Sequence, residues 1–195
     1  MKIFLCLLTL AGCTLAQLNQ LTPVEKAEGW ILLFDGSSLK GWVENGQAKW
    51  RVQDGAILAE EGGNGWLRSE GSFSDFVLKC EFRTHEKGNS GIFLRAAKDG
   101  QPHVTGYELQ IWNYNEEFPT GSFVNHVASK GGRLKGDEWN SYQVTARGDQ
   151  WVVKLNGETV LETRDGKASQ GHIGLQSNKD RIEFRSMKLK PLGLR

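Results

Sequence analysis

Arg95, Glu108 and Gln110 interrupt two of the clearest alternating segments of the chain, GNSGIFLR at 88–95 and TGYELQIWN at 105–113. A carboxylate, a guanidinium and a planar amide on one surface can abstract a proton, hold an oxyanion and pair with vicinal hydroxyls. Side chains alternate sides along a strand, so Tyr107, Leu109 and Ile111 are expected to face a core, with Glu108, Gln110 and Trp112 on the opposite face. The same rule sets Phe93 and Arg95 against Ile92 and Leu94, and His172 and Gln176 against Ile173 and Leu175. In DFVLKCEFRT at 75–84 it sets Val77, Lys79, Glu81 and Arg83 against Phe76, Leu78, Cys80 and Phe82. An indole beside such planar polar groups suits a sugar, because it covers the apolar face of a pyranose while amides, carboxylates and guanidinium groups pair with its hydroxyls. Glu81 and Glu108 could share this face as an acid/base pair, or Glu81 could form a cross-strand ion pair with Arg83 or Arg95. His126, in TGSFVNHVASKGG, is either a rim residue of the same face or an exposed loop histidine without a task.

Other chemistries find little support. The four histidines, 85, 103, 126 and 172, are isolated, and no His-Glu-x-x-His or Cys-x-x-Cys spacing is present, so neither a metal nor a cofactor is expected. The GNSG turn lacks the Asp, the second Gly and the histidine segment of a serine-protease nucleophile turn. Gly62-Gly63-Asn64-Gly65 precedes WLRSEGSF, not a helix, and reads as a loop. With 24 basic and 23 acidic residues the net charge is +1, and no basic block stands out. A nucleic-acid partner is not expected.

The elements that must position these residues are strands. WILLF (30–34), AKWRVQDGAILAE (48–60), DFVLKCEFRT, SGIFLRA (90–96), GYELQIWN (106–113), WNSYQVTARGDQWVVKLNGETVLET (139–163), GHIGLQSN (171–178) and RIEFRSMKLKPL (181–192) follow strand patterns, and helical spacing is absent. Asp54-Gly55 and Asn156-Gly157 carry the chemistry of tight hairpin turns. About ten short strands imply an all-β fold of two packed antiparallel sheets. A chain of 195 residues suits one domain, expected over 29–195.

Residues 1–16, MKIFLCLLTLAGCTLA, combine a lysine, a short apolar run and small residues, as in a secretory signal. Leu10-Ala11-Gly12-Cys13 resembles a bacterial lipobox with Cys13 as the lipidated residue, whereas Thr14-Leu15-Ala16 suits ordinary signal peptidase; the first reading is preferred. Export would leave the protein periplasmic or membrane-anchored, with any membrane attachment through Cys13 alone. Polar residues 17–28, with Pro23, read as a linker. Cys80 remains as a core residue without a disulfide partner.

Across residues 29 to 192 the chain resembles the 3-keto-disaccharide hydrolase family, formerly a domain of unknown function. The resemblance is carried by LFDGSSLKGW at 33–42, DFVLKCEFR at 75–83, GNSGIFLR, GYELQIWN, GDEWNSYQV at 136–144, LNG at 155–157 and GHIGLQSNKDRIEFRSMKLKPL at 171–192. It departs from the family pattern after Gln176, where Ser177-Asn178-Lys179-Asp180 stands in place of an expected histidine and glycine. The resemblance implies a concanavalin-like jelly-roll sandwich with a ligand groove, and hydrolysis of a 3-keto-glycoside prepared by a sugar 3-dehydrogenase. A ketone at carbon 3 acidifies the hydrogen on carbon 2, so a base can form an enolate that expels the group at carbon 1, and water then adds back. Within that chemistry Glu108 is expected as base, Arg95 and Gln110 as donors to the enolate oxygen, and His126 as acid. Glu81, Arg83, Trp112 and Gln176 are expected to line the groove. The alternative is a carbohydrate-binding module or lectin with the same face and no turnover.

Overall fold

The structure is a computed structural model that describes residues 18–193. Thirteen strands form it: β1 (Ile31–Leu32), β2 (Trp42–Gly46), β3 (Lys49–Gln53), β4 (Ala56–Glu61), β5 (Asn64–Phe73), β6 (Phe76–Thr84), β7 (Ser90–Ala96), β8 (Tyr107–Ile111), β9 (Asn140–Arg147), β10 (Gln150–Leu155), β11 (Glu158–Arg164), β12 (Gly171–Asn178) and β13 (Ile182–Pro191). Two one-turn helices accompany them, α1 (Pro23–Ala27) and α2 (Pro102–Thr105). An eight-stranded sheet runs β11-β10-β9-β6-β13-β4-β3, with β1 on β13, and a five-stranded sheet runs β2-β5-β12-β7-β8. All pairings between these strands are antiparallel. The expected concanavalin-like jelly-roll sandwich is what the chain adopts.

The alternation explains the packing. Phe76, Leu78, Cys80 and Phe82 of the large sheet meet Leu67, Ile92, Leu109, Ile111 and Leu175 of the small one in a single core. Burial pushes the Cys80 thiol up to about 12, so it packs as an inert apolar group. Both hairpin turns form as the residue chemistry requires: Asp54 and Gly55 have φ of 50° and 74°, and Asn156 and Gly157 have 51° and 88°. Positive φ at both central positions matches the turn to the twist of the flanking strands. The free side of β8 is covered by its own downstream loop, because Val124 N–H donates to Glu108 O and Gln110 N–H to Ser122 O, each at 3.0 Å. That pairing leaves no open edge beside Glu108.

The signal segment lies outside the described residues. Residues 18–28, read from sequence as a linker, are folded onto the large sheet. Thr22 and Glu25 close a capping box at the start of α1. Lys188 holds Glu25 at 3.0 Å, and buried Asn19 donates to Gly55 O and accepts from Ser186 N–H. Polarity alone suggested a tether, but Asn19, Glu25 and Glu28 tie the segment to the sheet.

Candidate functional site on the five-stranded sheet

The outer face of the small sheet carries a groove of about 420 Å³. Trp66 and Phe93 form its apolar wall, packed edge to face with ring centroids 5.6 Å apart. Asn45, Asn64, Asn178 and Gln176 supply polar lining, and Gln101, Pro102 and His103 of the α2 turn form one rim. Gly174 lies opposite both Arg68 and Phe93, and an added Cβ there would sit 2.4 Å from the Trp66 ring. Only glycine lets the indole lie down on the sheet at that point.

Glu108 stands beside this groove, 8% exposed. Its Oε1 accepts from Gln176 Nε2 at 2.8 Å, and its Oε2 has no partner among the described residues. Burial raises the Glu108 carboxyl above its ordinary range, while the Gln176 amide and the charge of His103 pull the other way. Gln110 is 3% exposed, and the side-chain oxygens of both Gln110 and Gln176 are buried without a hydrogen-bond partner among the described residues. An unpaired buried acceptor costs about 1–3 kcal/mol, so two beside one carboxylate are costly unless a ligand completes them. Gly91, opposite Gln110, makes the cluster possible: a Cβ there would lie 3.2 Å from Glu108 Cγ and 3.3 Å from Gln176 Oε1.

The structure thus brings together Glu108, Gln110 and Gln176, and places the other expected site residues elsewhere. Arg95 does not share their face. Its φ is +52°, at the irregularity where β12 pairs β7, and this twist turns the side chain away from the alternation of β7. Only 1% exposed, the guanidinium donates to Ser74 O at 2.7 Å, Gly148 O at 2.7 Å, Ala168 O at 3.0 Å and Asp75 at 3.1 Å, with the Trp151 ring centroid 4.6 Å away. It ties together loops at one end of the sandwich.

Glu81 and Arg83 project from the large sheet, on the far side of the core. Alternation fixed their face, but β6 belongs to the other sheet from β8. Glu81 accepts from Arg185 at 2.7 Å and Arg83 donates to Glu183 at 2.7 Å, so neither lines the groove; of the two readings left open for Glu81, the pairing with Glu108 is excluded, and the ion pair is made with Arg185 and not with Arg83 or Arg95. Arg83 and Arg185 also lie over the Trp139 ring.

Trp112 falls after the end of β8, so the alternation no longer applies to it; it is half-buried and its backbone N–H donates to Thr120 Oγ1. Trp66 instead supplies the aromatic wall of the groove, in β5, whose first residues Asn64-Gly65 were read from sequence as part of a loop and whose remainder was given no element. His126 lies against Tyr107, on the core-facing side of β8, with ring centroids 5.9 Å apart. Its Nε2 accepts from Lys167 at 2.7 Å and its Nδ1 is 3.6 Å from Asp165. The loop that covers the edge of β8 carries it away from the Glu108 face.

Residues 29–190 match the family described as a 3-keto-alpha-glucoside-1,2-lyase-like domain. A 3-keto-disaccharide hydrolase of Bacteroides thetaiotaomicron is 25% identical over 91% of this chain and 83% of its own. A candidate glycosyl hydrolase of Parabacteroides distasonis has the same fold, with a TM-score of 0.81 at 24% identity over 91% of this chain and all of that one. A carbohydrate-binding module of Bacillus subtilis, CBM66, is also similar in fold, with a TM-score of 0.62 at 20% identity over 78% of this chain and 97% of its own. The match extends over nearly the whole sandwich, from the residue before Trp30 to the last strand, and it includes every residue of the Glu108 cluster. The chain belongs to the 3-keto-alpha-glucoside-1,2-lyase-like family.

Proposed function

We propose that the protein hydrolyses 3-keto-glycosides by elimination across carbons 1 and 2 followed by addition of water, with Glu108 as the base. The observation that carries this reading is a buried carboxylate with one free oxygen, flanked by two unpartnered amide oxygens, beside a groove with an aromatic wall. A carboxyl raised by burial is a stronger base than an exposed one, suited to a proton that the ketone has made acidic. Gln110 donates through its amide to the developing enolate oxygen, and Gln176 holds Glu108 toward carbon 2. Trp66 and Phe93 take the apolar side of the ring. No glycosyl cation forms on this path, so a second carboxylate is not required, in keeping with the separation of Glu81 from Glu108.

The name of the Bacteroides relative and the lyase-like description of the family support this reaction class. The ketone must be installed by a sugar 3-dehydrogenase acting earlier. Lipidation of Cys13 after cleavage of the signal peptide would anchor the exported protein to a membrane, whereas ordinary cleavage after Ala16 would leave it in the periplasm. Incubating the purified domain with a methyl 3-keto-glucoside and with methyl glucoside tests the assignment. Cleavage of the ketone alone is expected. Equal cleavage of both would remove the enolate path, and sugar binding without cleavage of either would leave a carbohydrate-binding module.

A further inference from the structure

Elimination at carbon 1 leaves an alkoxide unless the departing oxygen is protonated, and the residue expected from sequence to do this, His126, is on the wrong side of β8. Among the residues that line the groove, His103 has the one titratable side chain. We propose that His103 is the proton donor to the departing oxygen, acting across the groove from Glu108; this inference rests on the enolate reading of the site.

The placement of His103 is built, not incidental. It sits in α2, whose Pro102 is buried at the first turn, and Thr105 Oγ1 links this turn to Ala97 N–H at 3.1 Å and to Gln101 O at 3.2 Å. Lys167 Nζ donates to His103 O at 2.9 Å and to His126 Nε2 at 2.7 Å. His126 therefore serves as the anchor of a strut that fixes the backbone of His103. The imidazole itself has no hydrogen-bond partner among the described residues and faces the groove shared with Gln176. A positive charge on His103 lowers the Glu108 carboxyl. His172 is excluded from this role because its Nδ1 bonds Gly71 O and its ring meets Arg68.

The proton balance closes. Glu108 carboxylate takes the proton from carbon 2, and the electron pair of that C–H bond enters the carbon 3 carbonyl as an enolate. Collapse of the enolate forms the double bond between carbons 1 and 2 as the C1–O bond breaks, and the leaving oxygen takes a proton from the His103 imidazolium. The products at this stage are an unsaturated ketone and an alcohol, with Glu108 protonated and His103 neutral. Water then adds at carbon 1, giving a proton to His103, while carbon 2 recovers one from Glu108. Both residues return to their starting states.

The test compares methyl and 4-nitrophenyl 3-keto-glucosides, because nitrophenolate leaves without protonation. His103→Gln is expected to lose about 100-fold or more of kcat on the methyl substrate and less than about tenfold on the nitrophenyl one. His126→Gln should not discriminate between them. An equal loss on both substrates, or no loss on either, would overturn the role of His103 while leaving the enolate reading intact; a wild type that cleaves neither substrate would overturn the enolate reading itself. Should His103→Gln fail to fold, the wild-type pH profile decides: an alkaline limb in kcat/KM for the methyl substrate that is missing for the nitrophenyl substrate is expected, and identical profiles would refute the proposal.

Discussion

Gln176 donates to Glu108 at 2.8 Å although β7 lies between their strands, and the contact passes over Gly91. Neighbouring strands are about 4.8 Å apart, so a link from β12 to β8 needs two long side chains and an empty place on the strand between. Gly91 is that place. The sheet thereby holds a carboxylate and an amide in fixed relation on rigid strands, which loops would do less well.

Gly91→Ala is the direct perturbation of this relationship. The added methyl would meet Glu108 Cγ at 3.2 Å and Gln176 Oε1 at 3.3 Å, closer than ordinary contact. Turnover of a 3-keto-glucoside should fall about tenfold or more through misplacement of the base, with a stability loss of about 1–3 kcal/mol at most. Denaturant titration beside kinetics measures the two, and wild-type kinetics would show that the Gly91 gap is not needed.

Glu108→Gln keeps the shape and the bond to Gln176 but cannot take a proton. A loss of about two to four orders of magnitude in kcat with retained sugar binding is expected. Calorimetric titration of the variant with a 3-keto-glucoside checks that binding survives.

The same substitution has a stability signature. The folded-state pKa of Glu108 is raised from the ordinary value of 4.5, so ionisation of this group favours the unfolded chain. Its contribution is fully present below the unfolded-state value and is lost as pH rises through the folded-state value. Glu108→Gln should therefore gain on the wild type in urea midpoint as pH rises from about 4 to 7. A gap between the two proteins that stays constant over this range would show that burial does not raise the carboxyl.

Gln176→Leu removes the hydrogen bond that stabilises the Glu108 carboxylate. The acid limb of the kcat/KM profile should move to higher pH, since burial then acts with less opposition. A profile that keeps its limb would separate Gln176 from the tuning of the base.

Arg95→Met tests the reassignment of a residue that sequence placed at the site. Asp75 and three carbonyls lose their common partner, so a cost of about 3–5 kcal/mol is expected. Turnover per folded molecule should stay near that of the wild type at low temperature. A catalytic defect without a thermal shift would return Arg95 to the chemistry.

What was legible in the sequence follows from where strand alternation is undisturbed. Glu108, Gln110 and Gln176 share the face that alternation assigns them because β8 and the second half of β12 alternate without a break, and the two turns at Asp54-Gly55 and Asn156-Gly157 form because their backbone angles demand those residues. Arg95 was misplaced because a positive φ inside a strand leaves no mark in the hydrophobic pattern. Glu81 and Arg83 were misplaced for a different reason: alternation gives the face of a strand but not the sheet to which the strand belongs. Trp66 was missed behind four loop-like residues, although Trp66 and Arg68 against Leu67 carry the alternation that marks β5. His103 had no local signal at all, since its place depends on a strut from Lys167, 64 residues away.

Solvent deuterium tests the central claim most directly. Hydrolysis of a 3-keto-glucoside in heavy water, followed by mass spectrometry and NMR of the released sugar, reads whether carbon 2 has exchanged its hydrogen. The proton that Glu108 takes from carbon 2 exchanges with heavy water while the leaving group departs and water enters, so the account predicts deuterium at carbon 2 of the released sugar. Product that retains its original hydrogen at carbon 2, together with equal cleavage of the unoxidised glucoside, would contradict the enolate path and the assignment of Glu108 as its base.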